Sequence, residues 1–421
     1  MIRRNVLFED RGWAALSPLT DLLPVPALAF GASNLATRWR RWLGVEPLAI
    51  EARPRAMAAW REAPQQGGAA PAPGEEVLAI NAAALPGEWL DRALQGPGSA
   101  LWKASGRIVG ARLGFERLAP GLGRGEQFED FLARLGLPEV AVEARLLAWP
   151  WNFVDWNEAA LLEDLAALEP AVLGDVHPLA VVYEPGRVRV GSGARVDALA
   201  VLDARGGPIV LGEGVTVKPH TVVVGPCAVG PGTELLGGSV GRSTIGPDCR
   251  IAGEVESCLW QGRANKRHHG FIGHSVIGEW VNLGALTTTS DLKNNYGPVR
   301  VWVEGREVDS GTPKIGSFLG AHVKTGIGSL LPTGASVGTG SNLFGGGRFT
   351  PKRVPAFVWW DGERTVEHRL ERFLETAGVA MGRRGLRLRP ADEAALRSLH
   401  EATRPERAPF EAAADGPAGL P

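Results

Sequence analysis

Apolar side chains recur at every sixth residue over much of the middle of the chain, and glycine or another small residue often follows them. The positions form four runs: Leu211, Val217, Val223, Val229 and Leu235; Ile245 and Ile251; Phe271, Ile277 and Leu283; Leu319, Thr325, Leu331, Val337 and Leu343. A period of six matches neither a helix nor simple strand alternation, but it suits short strands joined by tight turns, three to a coil. The pattern predicts a parallel β-helix of hexapeptide repeats.

Glycines stand at the turn positions of these repeats, where we expect corners to need their backbone freedom. They are Gly212, Gly214, Gly230, Gly232, Gly278, Gly284, Gly338 and Gly340. A meander of Gly- and Val-rich strands is the alternative interpretation. Four runs in one consistent period favour the β-helix.

The flanking segments follow other patterns. Strands are predicted at residues 5–8 and 77–80 and helices at 35–43 and 158–168, which together indicate an α/β domain. A Pro/Gly/Ala-rich loop is predicted at 63–76, helices at 367–381 and 391–403, and a disordered tail from residue 404. We therefore expect three parts: an α/β domain at 1–170, the β-helix at 171–362, and short C-terminal helices with a tail at 363–421.

Composition narrows the function classes. The 421 residues carry a net charge of −1 with a pI of about 6.7, so no global field recruits nucleic acid or a membrane surface. No apolar run approaches the roughly 18–20 residues of a membrane span, and acids stand where a signal peptide would be apolar. The cysteines, Cys227, Cys249 and Cys258, are odd in number and lack CxxC spacing, so we expect free thiols and a cytoplasmic protein.

Titratable chemistry concentrates at residues 263–275, RANKRHHGFIGHS. The six-residue period breaks here, between Ile251 and Phe271, and irregular backbone on a solenoid is where binding loops lie. His268 should stand at a corner, where an imidazole can take a proton from an amine or hydroxyl at neutral pH. His269 and His274 are expected to face solvent or bond turns, and no metal site is expected.

Cations in and after this segment are candidates for binding a phosphate group, the usual partner of cationic side chains. They are Arg263, Lys266 and Arg267, with Lys293, Lys314 and Lys324 in later coils. Each one alone is more often a solvated surface charge, so it is their grouping that suggests a site.

Residues 253–297, GEVESCLWQGRANKRHHGFIGHSVIGEWVNLGALTTTSDLKNNYG, resemble the acetyltransferase half of the GlmU-like sugar nucleotidyltransferase/acetyltransferases. The similarity extends from about residue 5 to about residue 400 through VLFEDRGWAALSPLT, WPWNFVDWNEAALLEDL and GSFLGAHVKTGIGSLLPTGASVGTGSNLFGGG. It implies a Rossmann-like nucleotidyltransferase-type domain and a left-handed β-helix that forms a homotrimer. It also implies acetyl-CoA-dependent acetylation of an amino-sugar phosphate in UDP-N-acetylglucosamine synthesis.

The same resemblance implies roles for single residues. His268 matches the catalytic base, Asn282 an amide near the sugar amine, and Ala285 a backbone N–H that holds the thioester oxygen. Phe271 stands where better-known relatives have tyrosine, so one hydroxyl contact to sugar or phosphate is lost. Candidates for contacts with coenzyme A are Lys324, Arg348 and Lys352.

The N-terminal domain departs from this family at its phosphate-binding segment. SPLTDLLPVP has Val25 where lysine is expected, no Gly-rich loop precedes it, and Leu23 and Ala29 are apolar where arginines are expected. Arg11 is a candidate replacement. Cations at these positions would bind a triphosphate, so their loss should weaken phosphoryl chemistry.

Magnesium ligands are replaced as well, since Asn81 and Asn152 stand where acidic residues are expected. Three hypotheses follow. The first is an acetyltransferase with weak or lost nucleotidyl transfer. The second is a fully bifunctional enzyme that also uses UTP and Mg²⁺. The third is a non-catalytic β-helix scaffold.

Overall fold

The computed structural model describes residues 4–64, 71–72, 74–95, 98–167 and 169–409. They form two compact units, one of residues 4–16, 22–28 and 34–149, the other of residues 17–21, 29–33 and 150 onward. Residues 150–167, predicted as the end of the first domain, thus belong to the second unit. Much of the predicted loop at 63–76 (65–70 and 73), Leu168, and the tail from residue 410 lie outside the described residues.

The first unit is built on a six-stranded sheet of order β4-β1-β5-β7-β6-β8, in which β4, β1 and β5 are parallel. The strands up to residue 141 are β1 (Asn5–Phe8), β2 (Ala29–Phe30), β3 (Ser33–Asn34), β4 (Ala49–Glu51), β5 (Glu76–Asn81), β6 (Ala100–Ala104), β7 (Arg107–Gly114) and β8 (Glu139–Ala141). All four residues of β1 are buried, as an apolar strand inside a covered sheet requires. The predicted strands at 5–8 and 77–80 are confirmed.

Helices of the first unit are α1 (Leu35–Leu43), α2 (Pro54–Ala59), α3 (Glu88–Gln95), α4 (Phe115–Leu118) and α5 (Phe128–Arg134). Helix α1 has the predicted bounds because both its ends are capped. The Asn34 side chain accepts a hydrogen bond from Thr37 N, and Gly44 closes the helix in the left-handed conformation. Short 3₁₀ helices lie at Arg11–Leu16, Val25–Ala27, Ala119–Gly121 and Gly125–Gln127.

The second unit is a parallel β-solenoid, which confirms the predicted fold class. Its described strands are β9 (Ala171–Val172), β10 (Asp175–Val176), β11 (Val181–Tyr183), β12 (Val188–Val190), β13 (Arg195–Val196), β14 (Val201–Asp203), β15 (Ile209–Leu211), β16 (Thr216–Val217), β17 (Thr221–Val224), β18 (Cys227–Val229), β19 (Glu234–Gly241), β20 (Thr244–Ile245), β21 (Arg250–Glu256), β22 (Leu259–Trp260), β23 (Asn265–Lys266), β24 (Phe271–Gly273), β25 (Val276–Ile277), β26 (Asn282–Leu283), β27 (Thr288–Thr289), β28 (Arg300–Val303), β29 (Arg306–Asp309), β30 (Ser317–Leu319), β31 (Lys324–Thr325), β32 (Leu330–Leu331), β33 (Ala335–Val337), β34 (Asn342–Leu343), β35 (Arg353–Val354), β36 (Val358–Trp360) and β37 (Thr365–Glu367).

The six-residue pattern marks the interior of the coils. Leu211, Val217, Leu235 and Ile251 are at most 1% exposed and belong to one continuous apolar core. The exception is Phe271, which is half-buried, while the next residue, Ile272, is fully buried. The step from Ile272 to Ile277 is five residues, so the strict period misplaced this one strand by a residue.

The predicted interruption between Ile251 and Phe271 is wrong. Strands β22, β23 and β24 continue the coil there without an insertion. The period fails because the steps from Ile251 to Val255 and from Val255 to Trp260 shorten to four and five residues, and because Lys266 takes an interior position opposite Ile251. The larger insertion lies later: β25 pairs with β30 across residues 278–316, which carry the antiparallel hairpin β28–β29.

Glycines at the corners serve two different purposes. Gly214 and Gly340 have φ of 64° and 74°, the left-handed conformation predicted for a turn. Gly278 and Gly284 do not have positive φ. There a Cβ would lie 2.7 Å from Gly320 C and 2.6 Å from Gly326 C, so these glycines allow the next coil to approach closely.

Helices of the second unit are α6 (Pro150–Leu165) before the solenoid, then α7 (Leu370–Gly382), α8 (Pro390–Ala402) and α9 (Arg404–Arg407) after it. The predicted helix at 158–168 begins earlier than expected, at Pro150. The predicted tail was wrong for its first residues, because Arg407 is buried against Glu367. None of the helices described is long and apolar enough to cross a membrane.

Candidate functional site

A column of polar side chains runs along one face of the solenoid. Arg250, Asn265, Asn282 and Lys324 are partners in register on the successive strands β21, β23, β26 and β31. Parallel strands lie about 4.8 Å apart, so the column places one polar side chain at each step along the solenoid axis. We call these four residues the polar ladder.

The polar ladder forms one side of a cavity of about 650 Å³, which we call the basic pocket. Its lining residues are Arg250, Arg263, Asn265, Arg267, His268, Trp280, Val281, Asn282, Lys324, Thr376, Val379, Ala380, Arg383 and Arg384. Five residues predicted from the sequence therefore meet here: Arg263, Arg267, His268, Asn282 and Lys324. None of the lining residues is acidic, so the pocket favours an anionic ligand.

His268 is exposed and lies in the bend between β23 and β24, which is the corner position predicted for it. The amide of Asn282 is oriented by its neighbour on the ladder, because Asn265 Nδ2 donates to Asn282 Oδ1 at 2.8 Å. With its oxygen engaged, the Asn282 amide presents its NH₂ group as a donor to a ligand.

Cations of the pocket differ in their surroundings. Arg263 is buried and its Nη1 lies 2.5 Å from Glu279 Oε1, so part of its charge is neutralised within the protein. Arg267 is exposed. Burial lowers the pKa of Lys324 to about 8, because a low-dielectric surrounding disfavours the charged ammonium group.

Lys266 lies inside the coil instead of in the pocket. Its side chain is fully buried, and Nζ donates to the carbonyl oxygens of His268 at 2.7 Å and Ala252 at 3.0 Å. Burial lowers its pKa to about 8. The expected contact of Lys266 with a substrate phosphate is incompatible with this burial, and the side chain braces the bend that carries His268.

The other predicted site residues lie outside the basic pocket. Lys293 Nζ donates to Pro298 O at 2.5 Å within the insertion, where Lys314 is also found. Arg348 pairs with Glu363 at 3.1 Å and Lys352 with Glu307 at 3.3 Å. The structure does not bring these four cations to His268, and their predicted roles have no support from the pocket.

Phe271 and Ala285 also lie outside the lining of the pocket. Phe271 is in register with Glu254 on the neighbouring strand. Ala285 follows β26, and its carbonyl oxygen accepts from Gly328 N at 2.8 Å. The oxyanion role predicted for Ala285 concerns its N–H group, so that role stays a prediction.

The pocket residues that the sequence did not predict include Arg250, Asn265, Trp280, Arg383 and Arg384. Arg250 and Asn265 could have been predicted from the repeat, because each stands directly before an interior residue, as Asn282 does. The two C-terminal arginines gave no such signal. They reach the pocket because of the way α7 packs on the last coils.

Helix α7 is held on these coils by a cluster of aromatic rings. Phe373 is fully buried, and its ring lies 5.2 Å from Phe357, 5.6 Å from His322 and 5.6 Å from His368. His322 stacks on Trp280, a residue of the pocket. Burial lowers the pKa of His368, which keeps that ring neutral in the apolar cluster.

In the first unit, four polar residues collect at the carboxyl ends of parallel strands, the edge where α/β sheets usually bind ligands. Glu9, Asp10, Glu51 and Asn81 are each at most 4% exposed. Their partners are all internal. Arg53 Nε lies 2.7 Å from Glu9 Oε1, Arg107 binds both oxygens of Asp10 at 2.7 Å, and Asn81 Nδ2 donates to Asp10 at 2.8 Å.

Glu51 accepts from the backbone N–H groups of Gly123 and Gly125 at 2.7 and 2.8 Å. The polar groups at this edge are thus engaged with one another and with backbone N–H groups of the same unit. Among the described residues, no three His, Cys, Asp or Glu side chains come together as a metal would require.

Residues 5–171 match the family model of sugar nucleotidyl transferases. A bifunctional sugar-1-phosphate nucleotidylyltransferase/acetyltransferase from Sulfurisphaera tokodaii is 31% identical over 202 residues, 47% of this chain and 44% of that protein. The bifunctional protein GlmU of Sorangium cellulosum is 32% identical over 186 residues, 41% of this chain and 36% of that protein. The matched stretches span less than half the length of these curated relatives.

Among solved structures, the UDP-N-acetylglucosamine acyltransferase from Campylobacter jejuni is 14% identical, with a TM-score of 0.21, covering 54% of this chain and 82% of that one. AntD, an N-acyltransferase from Bacillus cereus, is 15% identical, with a TM-score of 0.18, covering 53% and 96%. The fold and the matched segment define a sugar nucleotidyltransferase-type domain joined to a β-solenoid. The chain is similar to the GlmU-like sugar nucleotidyltransferase/acetyltransferases over these stretches.

Proposed function

We propose that this chain is an acetyl-CoA-dependent N-acetyltransferase that acts on an amino-sugar phosphate, with nucleotidyl transfer weak or lost. The observation that carries the proposal is the basic pocket, where His268 and the oriented amide of Asn282 lie among cations with no carboxylate in the lining. A non-catalytic scaffold has no need for this combination.

The chemistry is direct acyl transfer. His268 takes the proton of the attacking amine, the nitrogen forms a bond to the thioester carbon, and the negative charge develops on the thioester oxygen. A turn N–H, which we assign to Ala285, stabilises that oxygen. The C–S bond then breaks, protonated His268 gives its proton to the sulfur, and coenzyme A leaves as the thiol. The NH₂ group of Asn282 holds the sugar near its amine, since transfer depends on prior positioning.

Weak nucleotidyl transfer is supported by the carboxyl edge of the first unit's sheet. Asp10 is already bound by Arg107 and Glu9 by Arg53, so neither carboxylate is available to a metal ion. A metal ion and phosphate-binding cations both stabilise the charge of the phosphoryl transition state. Arg11, the candidate replacement cation, is directed to Asp130 at 2.5 Å.

The segments on either side of Val25 add to this argument. Residues 17–21 and 29–33 belong to the solenoid unit, where Thr339 N donates to Asp21 Oδ2 at 3.3 Å and Ala29 N donates to Gln261 Oε1 at 2.8 Å. Thr244 Oγ1 also donates to Gly31 O at 2.6 Å. Backbone groups used in this way hold the solenoid together instead of cradling phosphates.

A two-stage assay tests the whole proposal. Purified protein is given acetyl-CoA and glucosamine 1-phosphate while free thiol is followed, and then UTP and Mg²⁺ are added while pyrophosphate is followed. We expect thiol release in the first stage and no enzymatic pyrophosphate in the second. Pyrophosphate release would favour the fully bifunctional enzyme, and silence in both stages would favour the scaffold.

We also propose that the chain forms a homotrimer through one apolar corner of the last coils. Leu286, Ile327, Phe344 and Phe349 are 59%, 72%, 43% and 63% exposed. Backbone bonds from Gly328 N to Ala285 O and from Gly347 N to Gly328 O stack these turns on one another. A three-sided coil with an apolar edge can bury that edge against a neighbour in a closed ring.

Ile327→Glu is expected to convert the trimer to monomers, because it puts a charge into the centre of this apolar corner. Light scattering coupled to gel filtration would measure the mass, about three times 44.6 kDa for the wild type. Val172→Glu, which changes a residue of the first coil that is 61% exposed, should leave the mass unchanged. A trimer that survives Ile327→Glu would contradict this interface.

A further inference from the structure

Helix α7 forms the second wall of the basic pocket. Thr376, Val379 and Ala380 face the pocket from the helix, and Arg383 and Arg384 follow directly after its last residue. Val379 is 68% exposed although it stands opposite the polar ladder, so the space between helix and ladder is open. The pocket is therefore a slot within one protomer, with the ladder on one side and the C-terminal helix on the other.

Positive charge is concentrated where Arg250, at one end of the polar ladder, lies near Arg383 and Arg384 at the end of α7. Arg384 lies close enough to Arg250 for the charge of one to lower the pKa of the other, in addition to the effect of burial. Arg250 Nε is 3.0 Å from Glu234 Oε1, which neutralises one of these charges. In the described part of the chain, neither Arg383 nor Arg384 takes part in an ion pair.

We propose that Arg250, Arg383 and Arg384 form a phosphate subsite, supplied by the same protomer that carries His268. Guanidinium groups bind phosphate oxygens in pairs, with a planar geometry that lysine lacks. Glu234, which pairs with Arg250, and Asp248 both offset part of the charge of Arg384. The positive charge that remains on the three arginines favours an anion. A phosphate group meets that preference, and a neutral sugar ring does not.

The ladder gives the distance from this subsite to the proposed chemistry. Arg250 is one step from Asn265 and two from Asn282, which is about 5 and about 10 Å at the spacing of parallel strands. His268 follows Asn265 on the same coil. A phosphate held by the arginines thus lies within the length of a sugar phosphate from the candidate base. The choice of ligands rests on the proposed function, in which the phosphate belongs either to the sugar substrate or to coenzyme A.

Calorimetry on the full chain without turnover tests the subsite, with glucosamine 1-phosphate, glucosamine and coenzyme A as separate probes. The variant is Arg383→Ala with Arg384→Ala, and the matched control is Arg372→Ala, an exposed arginine of α7 that pairs with Glu375 outside the pocket. We expect the double variant to bind glucosamine 1-phosphate at least about tenfold more weakly, as the loss of charge-assisted hydrogen bonds predicts. Glucosamine should be unaffected.

A tenfold loss for coenzyme A instead would also support the subsite and would assign it to the acyl donor. Affinities that stay within about twofold for both phosphate ligands, or wild-type protein that binds neither, would overturn it. Arg384→Gln, which keeps the aliphatic stem and a polar end group but removes the charge, repeats the test if circular dichroism shows that the double variant is unfolded. If the double variant loses binding but the wild type shows no acetyl transfer, the proposed function is contradicted and the phosphate subsite is still supported.

Discussion

His268→Ala is expected to lower the rate of acetyl transfer by about 10²-fold or more. General base catalysis by a positioned side chain contributes about 10²- to 10⁴-fold, and His268 is the imidazole that lines the basic pocket beside Asn282. Free thiol released from acetyl-CoA in the presence of glucosamine 1-phosphate measures the effect. The loss should fall on kcat, because the imidazole acts on the proton that moves in the transition state.

The matched control for this prediction is the adjacent residue, His269. It is exposed as well, and its contribution to the fold is a backbone one, the carbonyl oxygen that accepts from Leu286 N at 2.8 Å. His269→Ala should therefore keep nearly the full rate. A His268→Ala protein that acetylates at close to the wild-type rate would remove the assignment of the base.

In the wild type, the free energy of unfolding is expected to rise between about pH 8 and pH 10.5. Lys266→Met is expected to abolish this rise. The pKa of Lys266 is about 8 in the folded protein, against 10.5 for an unperturbed lysine. Between these values the unfolded chain binds a proton that the folded chain does not, so stability increases with pH. At 1.36 kcal/mol per pH unit the increase approaches about 3 kcal/mol, and below pH 8 the buried charge destabilises the fold by that amount.

Urea unfolding at a series of pH values would measure this difference. Lys324 and the three buried cysteines also have shifted pKa values, so the informative quantity is wild type minus variant at each pH. Lys218→Met, at a partly exposed lysine paired with Asp197, is the control and should leave the pH dependence as it is. Parallel curves for wild type and Lys266→Met would mean that Lys266 is hydrated and not enclosed by the coil.

The variant also separates the two effects of Lys266 on the site. Methionine fills the same space but leaves the carbonyl oxygens of Ala252 and His268 without the donor they have in the wild type. Relief of a buried charge and loss of two hydrogen bonds act in opposite directions on stability. If the variant is at least as stable as the wild type but transfers acetyl groups more slowly, the lower rate results from a changed position of the bend that carries His268.

The repeat pattern predicted the interior of the solenoid because one constraint acts on every coil. Ile277 and Leu283 each occupy a position where any polar side chain would need its own partner, so the sequence had to keep them apolar. The pattern failed at Lys266, which is polar and nevertheless interior because two carbonyl oxygens accept from its ammonium group. Together with the short steps to Val255 and Trp260, this polar interior residue suggested an insertion that does not exist.

His268 was predicted from its corner position, and Asn282 from the resemblance of residues 253–297 to GlmU-like acetyltransferases. Lys293, Lys314, Arg348 and Lys352 were grouped with them by charge. They lie elsewhere because the position of a side chain on a solenoid depends on which coil and which corner it occupies. The charge of a side chain predicts neither its coil nor its corner.

The sequence by itself determined the β-solenoid, the α/β unit before it and the corner that carries His268, because these follow from local periodicity and turn chemistry. Only the tertiary structure decided that Arg383 and Arg384 close the basic pocket, that Lys266 is enclosed, and that Glu9 and Asp10 are bound by arginines of the same unit. Each of these depends on contacts between residues far apart in the chain, where packing of α7 or of a strand end selects one partner among many. The six-residue repeat does not predict such long-range contacts.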